Sequence, residues 1–284
     1  MSRDPLGPPI VAVRAAVARA LEEDLTPLGD ITSALVPADV EAEAAFVARQ
    51  AGVLAGTDCA TETYAQLDAS VDVAWDARDG DEVGAEQVLG RVRGPLPSVL
   101  TGERTALNFL CHLSGVASAT RRFVVAAGGG ARIWDTRKTT PGLRVLEKAA
   151  VRAGGGVNHR GNLSDWVLLK DNHLARMTIA DAVARARAQW PARTVHVECD
   201  TIAQVDEALA AGADAILLDN MTLDEVRDCV ARRGDGRVLL EVSGGITLDT
   251  VGAYARTGAD CISTSVITQS AVALDIGLDV GVSS

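Results

Sequence analysis

Arg137, Lys138, Arg144, Lys148, Arg152, His159, Arg160 and Lys170 crowd into the stretch from Asp135 to His173, in a chain whose formal net charge is −11. From Arg132 to Arg176, nine Lys and Arg stand against four Asp and Glu, so the local sign opposes that of the whole. What precedes each cation divides them into two kinds. Arg144, Lys148 and Arg152 recur at i, i+4 and i+8 with Glu147 close by, the pattern of a solvated helix face. Arg137 and Lys138 instead follow an apolar strand-like run, Lys170 ends another, and His159 and Arg160 come just after Gly154-Gly155-Gly156. Cations at strand ends and in a glycine-rich loop make a pocket for carboxylates or phosphates, where each charge-assisted hydrogen bond contributes about 1.5–3 kcal/mol.

The complementary acids are Glu198 and Asp219, each closing a different apolar run. Left alone they would repel, and a divalent cation between them resolves that, since magnesium binds through one or two carboxylates plus substrate phosphates. Taken singly, Asp219 reads equally as the N-cap of the helix after it. Ser243-Gly244-Gly245 offers backbone N–H groups without side-chain obstruction, as a phosphate cradle or as a plain turn.

The elements that must carry these residues change rhythm along the chain. Ile10 to Glu22 has helical spacing, followed by a turn-rich loop. Glu41–Gln50 and Gly52–Gly56 read as strands, Asp58–Leu67 as a helix, Val71–Asp76 as a strand, 76–84 as a turn and Val88–Val92 as a strand. This is an α+β layer pattern. Ser98 can cap a long helix starting near Val99, with Ser114-Gly115 as the place for a kink, and that helix would bridge two domains.

Beyond Gly128-Gly129-Gly130, strand-like runs begin near Ala131, Trp166, Thr194, Ala215, Val238 and Cys261, most followed by a helical pattern. Two joints, AAGADAILLDN and RTGADCISTS, are near copies, and repetition favours a barrel over an open sheet. The runs RIWDTRK, WVLLKDNH, HVECD, AILLDN, VLLEVSGG and CISTS all end in polar or charged residues, as in barrels whose active sites are built at the strands' carboxyl ends. Arg137, Lys138, Lys170, Glu198, Asp219 and Ser243 would then surround one mouth.

Composition narrows the classes. With 284 residues and 48% hydrophobic content, the chain can bury a large core. The sequence pI of about 4.8 and 3% aromatic content argue against a nucleic-acid binder. Five scattered cysteines without a CxxC pair argue against a disulfide framework or a structural zinc site. MSRDPLGPPI does not lead into an apolar h-region, and no run of about 18 apolar residues occurs, so a cytoplasmic protein without a membrane span is expected.

ERTALNFLCHLSG, DTRKTTPGLRVLEK, GGGVNHRGNLSDWVLLKDNH, LLDN, EVSGG and LDIGLD, with GDITS at 29–33, resemble the motif series of the quinolinate phosphoribosyltransferases, from about Glu23 to Asp279. The resemblance implies an α/β fold: an N-terminal α/β sandwich over 1–112 joined by the tail 270–284, and a C-terminal incomplete, TIM-like α/β barrel over 113–269. It implies transfer of a phosphoribosyl group from phosphoribosyl pyrophosphate to quinolinate with loss of CO2, accompanied by Mg2+, in a homodimer open to higher assembly. Carried over by position, Thr136, Arg137, Lys138, His159, Arg160 and Lys170 match the basic pocket for the quinolinate carboxylates and nearby phosphate. Arg104 matches an arginine lent by the partner subunit. Glu198 and Asp219 match the acids facing ribose and metal, with Lys170 beside them as the catalytic set. Ser243, Gly244, Gly245, Ser263, Thr264 and Ser265 match the loops holding the 5-phosphate.

Departures are Ser265 and Gln269, where many relatives have a glycine and then a histidine, and His196 for a frequent glutamate. Gln269 receives no catalytic role. The alternatives are a related phosphoribosyltransferase with another aromatic acceptor, a Schiff-base lyase using Lys170, and a non-catalytic sensor of the same ligands.

Overall fold

The computed structural model describes residues 7–282. In chain order it runs α1 (Ile10–Leu25), β1 (Glu41–Ala48), β2 (Gly52–Val53), α2 (Thr57–Leu67), β3 (Asp72–Trp75), β4 (Glu82–Val83), β5 (Val88–Pro95) and α3 (Leu96–Ala127). Then come β6 (Arg132–Trp134), α4 (Arg144–Ala153), β7 (Val167–Leu169), α5 (Asp171–Leu174), α6 (Ile179–Gln189), β8 (Val195–Cys199) and α7 (Ile202–Ala210). The chain continues through β9 (Ala215–Asp219), α8 (Leu223–Arg233), β10 (Leu239–Ser243), α9 (Leu248–Ala255), β11 (Cys261–Ser263), α10 (Val266–Gln269) and β12 (Ile276–Val282). Two compact units result. One comprises the chain up to Arg121, Thr139–Gly155 and the residues from Ile267 on; the other comprises Arg122–Lys138 and Gly156–Val266.

The first unit is built on an antiparallel sheet of order β12-β1-β5-β3. Alternation along β1 buries Ala42, Ala44 and Phe46 on one side, and Phe46 stacks on Trp75 with centroids 5.0 Å apart. With few aromatics available, the core is filled by Leu54, Tyr64, Leu89, Val92, Leu110, Leu274 and Ile276. The tail contributes a strand to this sheet: β12 pairs with β1 from Ala42↔Val282 to Ala48↔Ile276. Expected strand Gly52–Gly56 stops at Val53, because the Leu54 and Ala55 amides turn to Asp81 O and Ser114 Oγ, and the expected turn 76–84 contains β4.

Two expectations are corrected here. Helix α3 begins at Leu96, with Pro97 tolerated in its first turn, and Ser98 does not cap it but donates to Asp68 Oδ2 at 2.7 Å. Helix α3 runs through Ser114-Gly115, and Gly115 serves close approach, since a Cβ there would sit 2.3 Å from Val272 O. The helix α4 forms, yet it is not a solvated face. Lys148 is 6% exposed, Arg144 Nε donates to Thr139 Oγ1 at 3.1 Å, and Arg152 donates to the carbonyls of Lys148 and Gly7. This helix groups with the first unit, where buried Glu147 accepts the Thr140 amide and meets His112 Nε2 at 2.8 Å.

The second unit is a six-stranded parallel sheet of order β6-β11-β10-β9-β8-β7. Its two end strands, β6 and β7, are not paired with each other, which leaves a barrel incomplete. Helices follow the strands, and Thr178, Thr201 and Thr222 cap α6, α7 and α8 through their side chains. Thr222 thereby removes the cap reading of Asp219.

Candidate active site

Partners in adjacent parallel strands point to the same side of the sheet, and residues two apart return to it. The register aligns Leu168 with His196, Glu198 with Leu217, Leu217 with Glu241, Asp219 with Ser243, and Ser263 with Trp134. One face therefore carries Trp134, His196, Glu198, Asp219, Glu241, Ser243 and Ser263, with Lys170 two residues beyond Leu168. The other face is apolar: Ile133, Val197, Ile216, Leu218, Leu240, Val242 and Ile262 are all buried. Helices cover such a face, so the polar one is the barrel interior.

At the end of β6 the buried Asp135 organises the glycine-rich loop. Its Oδ1 accepts the His159 amide at 2.8 Å and its Oδ2 the Asn158 side chain at 2.6 Å. This fixes His159 and Arg160, each 8% exposed. Burial first, and then the charge of Arg137, pushes the Arg160 guanidinium below its ordinary value, opposed by Asp165, Glu198 and Glu241. Thr136 Oγ1 accepts the Lys138 amide at 2.9 Å, leaving Lys138 itself exposed and Arg137 half-buried. Among the predicted cations, Arg137, Lys138, His159, Arg160 and Lys170 thus all belong to this unit.

Lys170 Nζ forms an ion pair with Glu198 Oε2. The repulsion expected between Glu198 and Asp219 is thereby answered in part by the protein itself. Asp219 accepts the Asn220 side-chain amide at 2.7 Å, and the Asn220 amide donates to Ser243 O at 2.9 Å. Gly244 has φ +91°, and a Cβ there would lie 2.2 Å from Asn220 Oδ1, so only glycine fits that turn. Ser263 Oγ donates to Ser243 Oγ at 3.1 Å, and buried Thr264 donates its hydroxyl to Ile246 O at 3.4 Å. Those two hydroxyls are spent within the loops. Ser265 is partly exposed, just ahead of α10.

Two residues of this floor escaped the sequence reading. Glu241 is fully buried, with His159 Nε2 at 3.4 Å and His196 Nε2 at 3.5 Å from its Oε2. The available signal was an acid inside an apolar run, two residues before Ser243 and so on the same face. Asp135 was hidden within DTRK.

Family models match both parts of the chain: the N-terminal domain of quinolinate phosphoribosyl transferase over residues 30–114, and its C-terminal domain over 116–279. The chain belongs to the quinolinate phosphoribosyl transferase family. It is 44% identical to the nicotinate-nucleotide pyrophosphorylase [carboxylating] of Mycobacterium leprae over 94% of this chain and 97% of that one. To the probable enzyme of that name from Bacillus subtilis it is 42% identical, covering 90% and 89%. The solved nicotinate-nucleotide pyrophosphorylase of Francisella tularensis superposes with a TM-score of 0.91 at 38% identity, over 96% and 97% of the two chains.

Two motifs of the quinolinate phosphoribosyl transferase family acquire local reasons in the first unit. In GDITS, Asp30 accepts the Thr32 and Ser33 amides at 2.9 Å and the Thr101 hydroxyl at 3.0 Å, tying the loop to α3. Its carboxyl is held down at about 2, chiefly by the Ser33 hydroxyl and amide. In ERTALNFL, Arg104 is exposed on α3 and lines a cleft of about 420 Å³ with Arg19, Glu23, Asn108, His112 and Pro141.

Proposed function

We infer that the chain transfers the phosphoribosyl group of phosphoribosyl pyrophosphate to the ring nitrogen of quinolinate, releasing pyrophosphate and CO2 and forming nicotinate mononucleotide for de novo NAD synthesis. One observation carries the reading. Arg137, Lys138, Arg160 and Lys170, with His159, converge on the unit whose interior face also holds Glu198 and Asp219. That is more positive charge than an acceptor with one carboxylate needs, and it suits two.

Displacement of pyrophosphate builds oxocarbenium-like charge on the ribose, which Glu198 and Asp219 are disposed to stabilise. No protein nucleophile is required. The new pyridinium draws off the electrons of the adjacent C–C bond as CO2 departs, so the protein's part is to orient the acceptor through its cations and to hold the phosphates near Ser243, Gly244, Gly245, Ser263, Thr264 and Ser265. Two carboxylates on one face are hard-oxygen donors of the kind Mg2+ takes when it arrives with a polyphosphate, and Glu198 and Asp219 would hold it. When bound, it would supply positive charge to the leaving pyrophosphate.

We further propose a homodimer in which the exposed Arg104 completes the partner's site, with larger assemblies left open. A donor as charged as phosphoribosyl pyrophosphate does not cross a bilayer unaided, so the reaction is proposed to be cytoplasmic. Among the described residues no helix is long and apolar enough to cross a membrane. The Schiff-base alternative is disfavoured by the Lys170–Glu198 ion pair, because an ammonium is no nucleophile. Turnover of quinolinate with phosphoribosyl pyrophosphate and magnesium, followed as CO2 and pyrophosphate release, tests the reaction.

A further inference from the structure

On the interior floor of the second unit, three buried side chains meet that the proposed reaction does not use as a set. His159 comes from the glycine-rich loop, His196 from β8 and Glu241 from β10, and they are 8%, 1% and 0% exposed. His159 Nε2 lies 3.4 Å and His196 Nε2 3.5 Å from the same oxygen, Glu241 Oε2. Among the described residues this is the one group of three or more His, Cys, Asp and Glu side chains whose ligand atoms all fall within 4.8 Å of one another.

Hydrogen bonding accounts for only part of this cluster. The Glu241 carboxylate has His159 and the Ser263 hydroxyl as partners, and Asp135 fixes the His159 backbone, but His196 Nε2 is buried and has no hydrogen-bond partner. A buried polar nitrogen left in that state calls for an explanation. A tetrahedral ion with bonds of about 2.0–2.1 Å holds its donors about 3.3–3.4 Å apart. Both imidazole nitrogens stand at close to that separation from Glu241 Oε2. Two imidazoles and a carboxylate suit zinc and its first-row neighbours, whereas magnesium takes oxygen ligands. The charged side chains nearby balance, with Arg137, Arg160 and Lys170 against Asp165, Glu198 and Glu241, so a divalent ion meets no surplus of positive charge.

We propose that His159, His196 and Glu241 bind a first-row divalent ion of the zinc type, apart from any magnesium at Glu198 and Asp219, with the fourth position left to water. Such an ion ties the loop that bears His159 and Arg160 to strands β8 and β10. The Ser263 hydroxyl becomes the outer hydrogen bond that a ligating carboxylate keeps. His196 stands out in the sequence as a departure from the family pattern, and here it supplies the second nitrogen donor.

Tag-free wild-type protein, stripped with a chelator and titrated with Co2+ in the absence of substrates, tests this through visible d–d absorption and the paramagnetic shifts of histidine ring signals. One Co2+ should bind per chain and shift the rings of two of the four histidines. Zn2+ should displace it, and excess Mg2+ should not. Asp219→Asn should leave Co2+ affinity within about twofold, which separates this site from the magnesium site. His196→Gln and Glu241→Gln should each weaken it about 100-fold or more, beyond the loss of an outer-shell contact. No Co2+ bound by wild type, displacement by Mg2+, or loss of binding in Asp219→Asn overturns the proposal. The wild-type titration decides even if a floor variant fails to fold. Because no substrate is present, a failure of phosphoribosyl transfer leaves the result standing.

Discussion

The ammonium of Lys170, just past β7, ion-pairs with the carboxylate of Glu198 on neighbouring β8. If Lys170 holds the acceptor and Glu198 faces the ribose, as proposed, the two are in contact before either substrate enters, and quinolinate would have to share or displace that contact.

Lys170→Ala and Arg137→Ala are expected to weaken quinolinate binding by about 2–5 kcal/mol, the cost of removing one partner from a shielded charge pair. Arg227, whose side chain is 53% exposed and pairs with Asp224 on α8, is the control, with an expected change near zero. Lys148 would be a poor control because it is buried. Calorimetric titration of quinolinate into the three variants measures this, and equal losses would refute the pocket.

Asp219→Asn should lower turnover and raise the magnesium concentration needed for half-maximal rate, leaving quinolinate affinity nearly intact. Magnesium-dependent kinetics check it. A collapse of quinolinate affinity with unchanged magnesium dependence would mean that the acid faces the acceptor instead.

Arg104 is expected to act in trans. Inactive Arg104→Ala and Lys170→Ala chains, unfolded together and reassembled, give about half hybrid dimers with one complete site of two, so about a quarter of wild-type activity should return. Inactivity in a mixture shown to contain hybrids would place Arg104 in its own subunit's chemistry or in none.

His196 makes the fold acid-sensitive. Its value in the folded chain, about 4, lies below the ordinary 6.5, so the unfolded state binds more protons between these limits. The contribution is fully present above pH 6.5 and lost as pH falls toward 4. Between about pH 7 and about pH 5 the loss should reach about 2 kcal/mol in urea unfolding. His196→Gln, which cannot titrate, should lose that much less over the same interval; identical acid sensitivity would contradict the assignment.

The strands of the second unit were legible because the parallel strands are largely apolar runs, interrupted only by His196 in β8 and Glu241 in β10, and Lys170, Glu198, Asp219 and Ser243 were legible because each closes such a run. Glu241 was not, since one acid within VLLEV shows no partner until the loop residue His159 and the strand residue His196 are folded against it. The misread α4 has the same origin: period-four cations look solvated until the helix is packed, and then Lys148 is inside. Asp135 looked like a mere strand ending, although its side chain holds the loop that bears His159. Pairings distant in sequence, such as β12 on β1, were accessible only through the family resemblance.

The most direct test offers quinolinate and nicotinate separately to the purified protein with phosphoribosyl pyrophosphate and magnesium, and follows mononucleotide, pyrophosphate and CO2 together. Quinolinate should be consumed with one CO2 and one pyrophosphate released per mononucleotide formed, and nicotinate should be used far more slowly. Equal or faster use of nicotinate, or mononucleotide formed from quinolinate without CO2, would contradict the account.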